Sequence, residues 1–185
     1  MHLRPVAAAA VVAALALSAS GAHAATATLD GKKIKTLNAV FSPTQQDHDP
    51  DFASLKTVDR ADCAAPRCAR LPFLFKPAKG VKGPIAFQIS WTTPGEDYDL
   101  YVAEIAKDGS ASTVANCGAF AGTSEKIQLN STDLKAGKTY ALVADFYRST
   151  GTGKVTAKIS FPGTVSIPTT VPAPVDSNQH ENCGL

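Results

Sequence analysis

Apolar and polar residues alternate along most of this chain. Leu37, Ala39 and Phe41 fall on every second position, and so do Leu71, Phe73 and Phe75. The habit returns in Ile85, Phe87, Ile89 and Trp91, then in Tyr98, Leu100 and Val102. It continues through Ile127 and Leu129, through Tyr140, Leu142, Ala144 and Phe146, and through Val155, Ala157, Ile159 and Phe161. A period of two means strands with one buried face and one wet face. Turn residues separate the runs: Asp30-Gly31, Pro94-Gly95, Asp108-Gly109, Lys135 to Lys138, and Gly151 to Gly153. No stretch carries a convincing helical apolar period. Many short strands at regular spacing predict an all-β, antiparallel β-sandwich of the jelly-roll kind.

Two turns join runs closely enough to predict hairpins. One is Asp30-Gly31 between extended segments. The other is Pro94-Gly95 between the Trp91 run and the Tyr98 run, with Glu96, Asp97 and Asp99 at its tip. Residues 42–62 are polar and without period, which predicts a long loop. Residues 162–185 read as a Pro-rich C-terminal tail, whose Pro- and Thr-rich part, residues 162–174, should be extended or disordered.

The first residues predict export. Arg4 supplies a positive start, residues 6–17 an Ala-rich apolar run, and Ala22-His23-Ala24 a small-x-small cleavage site. That is a secretory signal peptide over residues 1–24, too short to span a membrane. We therefore expect a secreted, extracellular protein with no membrane insertion and no lipid anchor. Lys32, Lys33, Lys76, Lys79 and Lys82 are spread along the sequence and read as solvated surface lysines. No basic stripe with interleaved aromatics occurs, so nucleic acid is not an expected partner.

Export also bears on the four cysteines, which suit an oxidising compartment. Cys63 and Cys68 stand five apart with Pro66 between them, which favours a local bridge and leaves Cys117 to pair with Cys183. Three connectivities are open in principle. There is no Cys-x-x-Cys and no close His, so a metal site on these cysteines is a weak alternative.

The chemistry at the Pro94-Gly95 tip is acidic. Glu96, Asp97 and Asp99 are hard oxygen donors and suit Ca²⁺ rather than a transition metal. The competing reading is a solvated turn whose carboxylates bond nearby backbone amides. A second acidic run, Asp47-His48-Asp49-Pro50-Asp51, fails the EF-hand spacing: Phe52 stands where Gly is needed and Val58 where the closing Glu belongs. It reads as a solvated loop that could fold over the same end. For catalysis, a triad needs a base near its nucleophile. After export only His48 and His180 remain, in loop and tail, and no Gly-x-Ser-x-Gly occurs. Glu96 and Asp97 could act as a glycosidase-like pair, but adjacent acids at a strand start are commonplace. We expect no enzyme. Trp91, Tyr98 and Tyr140 are in apolar register and should be core. Tyr101 and Tyr147 fall on the opposite registers, where they could stack on a sugar or peptide or be covered by residues 25–82.

Five segments occur in a telling order. They are Ile89-Ser90-Trp91, Asp97-Tyr98-Asp99-Leu100-Tyr101-Val102, Thr123-Ser124-Glu125, Ala136-Gly137-Lys138-Thr139-Tyr140 and Val143-Ala144-Asp145-Phe146-Tyr147. The series resembles the bacterial pre-peptidase C-terminal domain, a small β-sandwich attached to many secreted hydrolases. The resemblance covers residues 83–161. Residues 25–82 then read as an N-terminal β extension, of a kind seen in small secreted proteins of actinobacteria. The resemblance implies a non-catalytic accessory or binding module, and calcium near the acidic strand start, with Asp97 and Asp99 matching that motif. The function expected is binding of an extracellular protein or polysaccharide. The alternative is a small extracellular protease inhibitor or hydrolase, with Cys63-Ala64-Ala65-Pro66-Arg67-Cys68 as a rigid loop presenting Arg67.

Overall fold

The computed structural model describes residues 26–47, 60–117 and 122–163. Residues 1–25, with the expected signal peptide, lie outside them, as do His48, Asp49, Asp51, His180, Cys183 and the rest of residues 164–185. Ten strands are described: β1 (Ala27–Leu29), β2 (Thr36–Phe41), β3 (Gln45–Asp47), β4 (Cys68–Phe75), β5 (Pro84–Trp91), β6 (Asp97–Ile105), β7 (Ala111–Cys117), β8 (Ser124–Asn130), β9 (Lys138–Thr150) and β10 (Val155–Ser160). They form a β-sandwich. One sheet runs β1-β4-β9-β6-β7, with β3 on β9 beyond the end of β4. The other runs β2-β10-β5-β8. Every pair is antiparallel except β1 with β4.

The alternation seen in the sequence is the inner face of these sheets. Phe73 packs between Phe87 across the sandwich, at 6.0 Å between ring centroids, and Tyr140 at 5.9 Å. Phe75 meets Phe161 edge-on at 5.5 Å. Trp91, Tyr98 and Phe146 form a second edge-on series, at 5.1 and 5.8 Å. Each of these side chains is buried. A buried side chain of this size contributes about 1.5–3 kcal/mol by leaving water, and edge-on rings add a further fraction of that.

Two expected hairpins are arches instead. β5 pairs with β10 and β8, and β6 with β7 and β9, so the Pro94-Gly95 turn carries the chain from one sheet to the other. The Asp30-Gly31 turn does the same between β1 and β2. A hairpin and an arch leave the same trace in sequence: two alternating runs and a turn. They differ in whether the two runs share a sheet or face each other. Here the apolar faces meet across the sandwich, which is why Trp91 touches Tyr98. At the second arch Gly31 has φ +73°, and a Cβ there would lie 2.6 Å from Val81 and 2.7 Å from the Phe161 ring.

The outer face of the larger sheet is covered as well. The 3-10 turn Arg60–Asp62 and the following loop lie on it, with Ala61, Cys63 and Cys68 against Tyr101, Ala103, Ala141 and Val143. Arg70 ties this cover down by donating to the Ala61 carbonyl at 3.0 Å and to Asp62 at 3.2 Å. Asp62 also accepts the Ala111 amide at 3.0 Å. Tyr101 is buried under this cover at 6% exposure, Tyr147 is buried as well at 8%, and neither offers an open stacking platform.

The Cys63–Cys68 bridge is present, with a Cα–Cα distance of 6.0 Å. Cys117 is buried with its sulphur against the Glu125 carboxylate. Its expected partner, Cys183, lies outside the described residues. Tryptic digestion of unreduced protein should release one peptide pair joined through Cys63 and Cys68 and another joined through Cys117 and Cys183. A Cys63–Cys117 link would contradict that map.

Candidate functional site at the acidic end of the sandwich

Residues 92–96 close one end of the sandwich, beside the turn between β9 and β10. The side chain at the centre is Glu96, 5% exposed. Its Oε2 accepts the Tyr98 hydroxyl at 2.6 Å. Its Oε1 accepts both the backbone amide and the hydroxyl of Thr150, at 3.1 and 2.7 Å. The Thr93 hydroxyl also bonds the carboxylate. The backbone carbonyl of Glu96 accepts the Trp91 indole N–H at 3.2 Å. Ser149 completes the network, with its Oγ 3.1 Å from the Tyr98 hydroxyl and accepting the Gly151 amide at 3.0 Å. Glu96 thus joins the turn that enters β6 to the end of β9.

Charge follows from this geometry. Burial alone would raise the Glu96 pKa, but the hydrogen bonds from Tyr98, Thr150 and Thr93 favour the ionised form and hold it below its ordinary 4.5. Burial, then the bond to Glu96, pushes the Tyr98 phenol well above its ordinary 10.0. Both groups keep their charge states, Glu96 ionised and Tyr98 neutral, across the physiological range. Space is tight: a Cβ on Gly153 would collide with the Glu96 carboxylate and come within 2.9 Å of Thr93 Oγ1.

The three acids picked out in the sequence are not brought together as one ligand set. Tyr98 and Leu100 face the core, so Asp97 and Asp99 project from the opposite side of β6, away from Glu96. Asp97 is buried and stands opposite Arg148. Asp99 is half-buried and stands opposite Asp145, which is fully buried. Among the described residues, no group of three or more His, Cys, Asp or Glu side chains is arranged to hold a metal ion.

A bulge makes this arrangement. β9 spends three residue steps, from Asp145 to Arg148, where β6 spends two, from Asp97 to Asp99. The extra residue reverses the alternation of β9 beyond Phe146, and Ser149 then faces inward to Tyr98. Thr93, Asp145, Ser149 and Thr150 were not legible in the sequence as parts of this end. A hydroxyl-rich strand end followed by Gly-Thr-Gly is a faint signal at best.

A scan against protein-family models finds no match, and a search of curated proteins finds none. Among solved structures, the chain is similar to the CBM22-1–GH10 modules of the Clostridium thermocellum N-terminal endo-1,4-β-D-xylanase 10B, solved with xylohexaose. The likeness has a TM-score of 0.32 and 12% sequence identity, and covers 74% of this chain and 27% of that one. No helix of the described residues is long and apolar enough to cross a membrane.

Proposed function

We propose that this chain is a secreted, non-catalytic β-sandwich that binds an extracellular protein or polysaccharide. The observation that carries the reading is the state of Glu96. Both of its carboxylate oxygens accept hydrogen bonds from the chain's own donors. A general acid or base needs a free lone pair and a pKa near its working pH. Glu96 has neither, and Asp97 projects from the other side of β6. The acidic end is thus built as a clasp. The resemblance to the pre-peptidase C-terminal domain agrees with an accessory binding role. The Cys63–Cys68 bridge is compatible with an extracellular setting.

The Cys63–Cys68 loop serves the fold in the same way. The Arg67 carbonyl accepts the Phe146 amide at 3.0 Å, and the Pro66 carbonyl accepts the Thr44 hydroxyl at 2.8 Å. A protease inhibitor presents the bond after its anchor residue to the enzyme. Here that carbonyl is bonded into β9, so the loop reads as a cover over the sheet. Trypsin should therefore be uninhibited by the intact protein at micromolar concentration, and stoichiometric inhibition would overturn this reading.

Calcium is the second reading, now at Asp97 and Asp99 without Glu96. Its support is the placement of Asp97 and Asp99 on one side of β6, with Asp145 across the ladder from Asp99, a set of hard oxygen donors of the kind that suits Ca²⁺. A cation bound only by the folded form raises stability by mass action. The expected result is a higher melting temperature in millimolar CaCl₂ than in EDTA, lost in Asp99→Asn. Equal melting temperatures in the two buffers would remove the site.

A further inference from the structure

The lysines that are scattered in the sequence converge in the fold. The turn between β1 and β2 carries Lys32, Lys33 and Lys35, and the loop between β4 and β5 carries Lys76, Lys79 and Lys82. Both lie at the end of the sandwich opposite Glu96. They are stitched together: the Ala78 amide donates to the Asp30 carbonyl at 2.9 Å, and the Lys76 amide to the Leu29 carbonyl at 3.2 Å. Gly31 is wedged against Val81 and the Phe161 ring. The loop between β8 and β9, with Lys135, joins them through the Gly137 amide, which donates to the Phe75 carbonyl at 2.7 Å. All seven lysines are exposed.

The acids near these loops offset only part of this charge: Asp30 attracts Lys33, and Glu104 on β6 attracts Lys135 besides its ion pair with Lys138 at 2.8 Å. Asp30 Oδ1 accepts the amides of Lys32, Lys33 and Ile34 at 2.8–2.9 Å. Asp133 accepts the Asn130 amide at 2.8 Å. Both carboxylates hold their own turns, and none of the seven ammonium groups is in an ion pair with an acid among the described residues. The other end of the molecule holds Glu96, Asp97, Asp99, Glu125 and Asp145. Arg148 stands opposite Asp97 at that end, whereas at the lysine end the seven exposed lysines outnumber Asp30, Asp133, Glu104 and Asp108, which leaves a rigid cationic end.

We infer that this cationic end is the docking surface for an acidic polysaccharide, a deepening that rests on the binding role proposed above. The lysines are spread over three loops, which suits an extended chain of charges rather than one compact anion. They are compact point charges without an arginine fork among them, which suits contact with a polymer whose charges are not held in fixed register. The aromatic rings beneath, Phe75 and Phe161, are 1% and 0% exposed, so there is no stacking platform for single-stranded nucleic acid. Ile34, at 38%, is the one exposed large apolar side chain in these loops among the described residues, too little for a membrane-inserting face.

Binding of the full mature chain to polygalacturonate, measured by isothermal calorimetry, tests this. We expect saturable binding at about 50 mM NaCl that weakens tenfold or more by about 500 mM, as displaced counterions require. The variant Lys32→Gln, Lys33→Gln, Lys79→Gln, Lys82→Gln should bind about tenfold or more weakly with an unchanged melting temperature. Lys154→Gln, in the β9–β10 turn at the Glu96 end, should bind as wild type. Absence of polygalacturonate binding, or equal binding by the four-lysine variant, would overturn the proposal. So would tighter binding to duplex DNA or to phosphatidylglycerol vesicles than to polygalacturonate. If polygalacturonate fails while another extracellular partner is retained unchanged, the binding role stands and only this surface falls.

Discussion

Trp91→Ala should lower the unfolding free energy by about 3–5 kcal/mol, the usual cost of truncating a buried aromatic. Trp91 is 5% exposed and ends β5 at the arch, where its ring meets Tyr98 edge-on at 5.1 Å. Alanine removes the largest side chain at this end of the core and leaves a cavity that Ile89 and Phe146 cannot collapse to fill without moving strands from both sheets. It also leaves the buried Glu96 carbonyl without its indole donor. Urea midpoints of the two proteins, compared at equal slope, give the value. A loss below about 1 kcal/mol would mean that Trp91 packs loosely enough to be a surface residue.

Glu96 should have the next largest effect, and its effect should depend on pH. Glu96→Ala leaves the Tyr98 hydroxyl and the Thr150 amide and hydroxyl facing a void, at a cost of roughly 3 kcal/mol at neutral pH. Glu96→Gln keeps the shape but turns an acceptor into a donor opposite Tyr98 or Thr150, and should cost about half as much. The sign of the pH dependence follows from the shift. The Glu96 pKa is lowered on folding, so its stabilisation is fully present above its ordinary 4.5 and is lost as pH falls through the folded value. The gap between wild type and Glu96→Gln should therefore be constant from pH 8 to about pH 5 and narrow below that. Tyr98 acts on the alkaline side. Its pKa is raised on folding, so its contribution is present below its ordinary 10.0 and is lost as pH rises above it. A gap that widens on acidification would contradict the clasp.

What the sequence carried was the period and the punctuation. Ile85, Phe87, Ile89 and Trp91 alternate because one side of β5 is core, and they are all buried. That signal is local, so it is readable. Sheet membership is not local, so Pro94-Gly95 read as a hairpin when it is an arch. β7 was missed because Ser112, Thr113, Val114 and Asn116 lie on an edge strand with a bulge at Val114, where burial imposes no clean alternation. Glu96 was picked out by composition, but its role was not. Its partner Thr150 and the Ser149 that bonds Tyr98 are more than fifty positions away, and only the bulge in β9 turns Ser149 inward. The same holds for the lysines. Lys33 and Lys79 are unremarkable apart, and only the bonded loops place them on one end.

Binding without turnover is the claim on which the rest depends. The direct test is to incubate residues 25–185 with culture supernatant and isolated cell-wall polysaccharide, then follow both the retained material and its mass over time. The account predicts saturable retention of a partner whose mass is unchanged after hours at equilibrium, by wild type and by folded Glu96→Gln alike. Release of shortened polysaccharide or cleaved protein by wild type and not by Glu96→Gln would make the acidic end a catalytic site and contradict it.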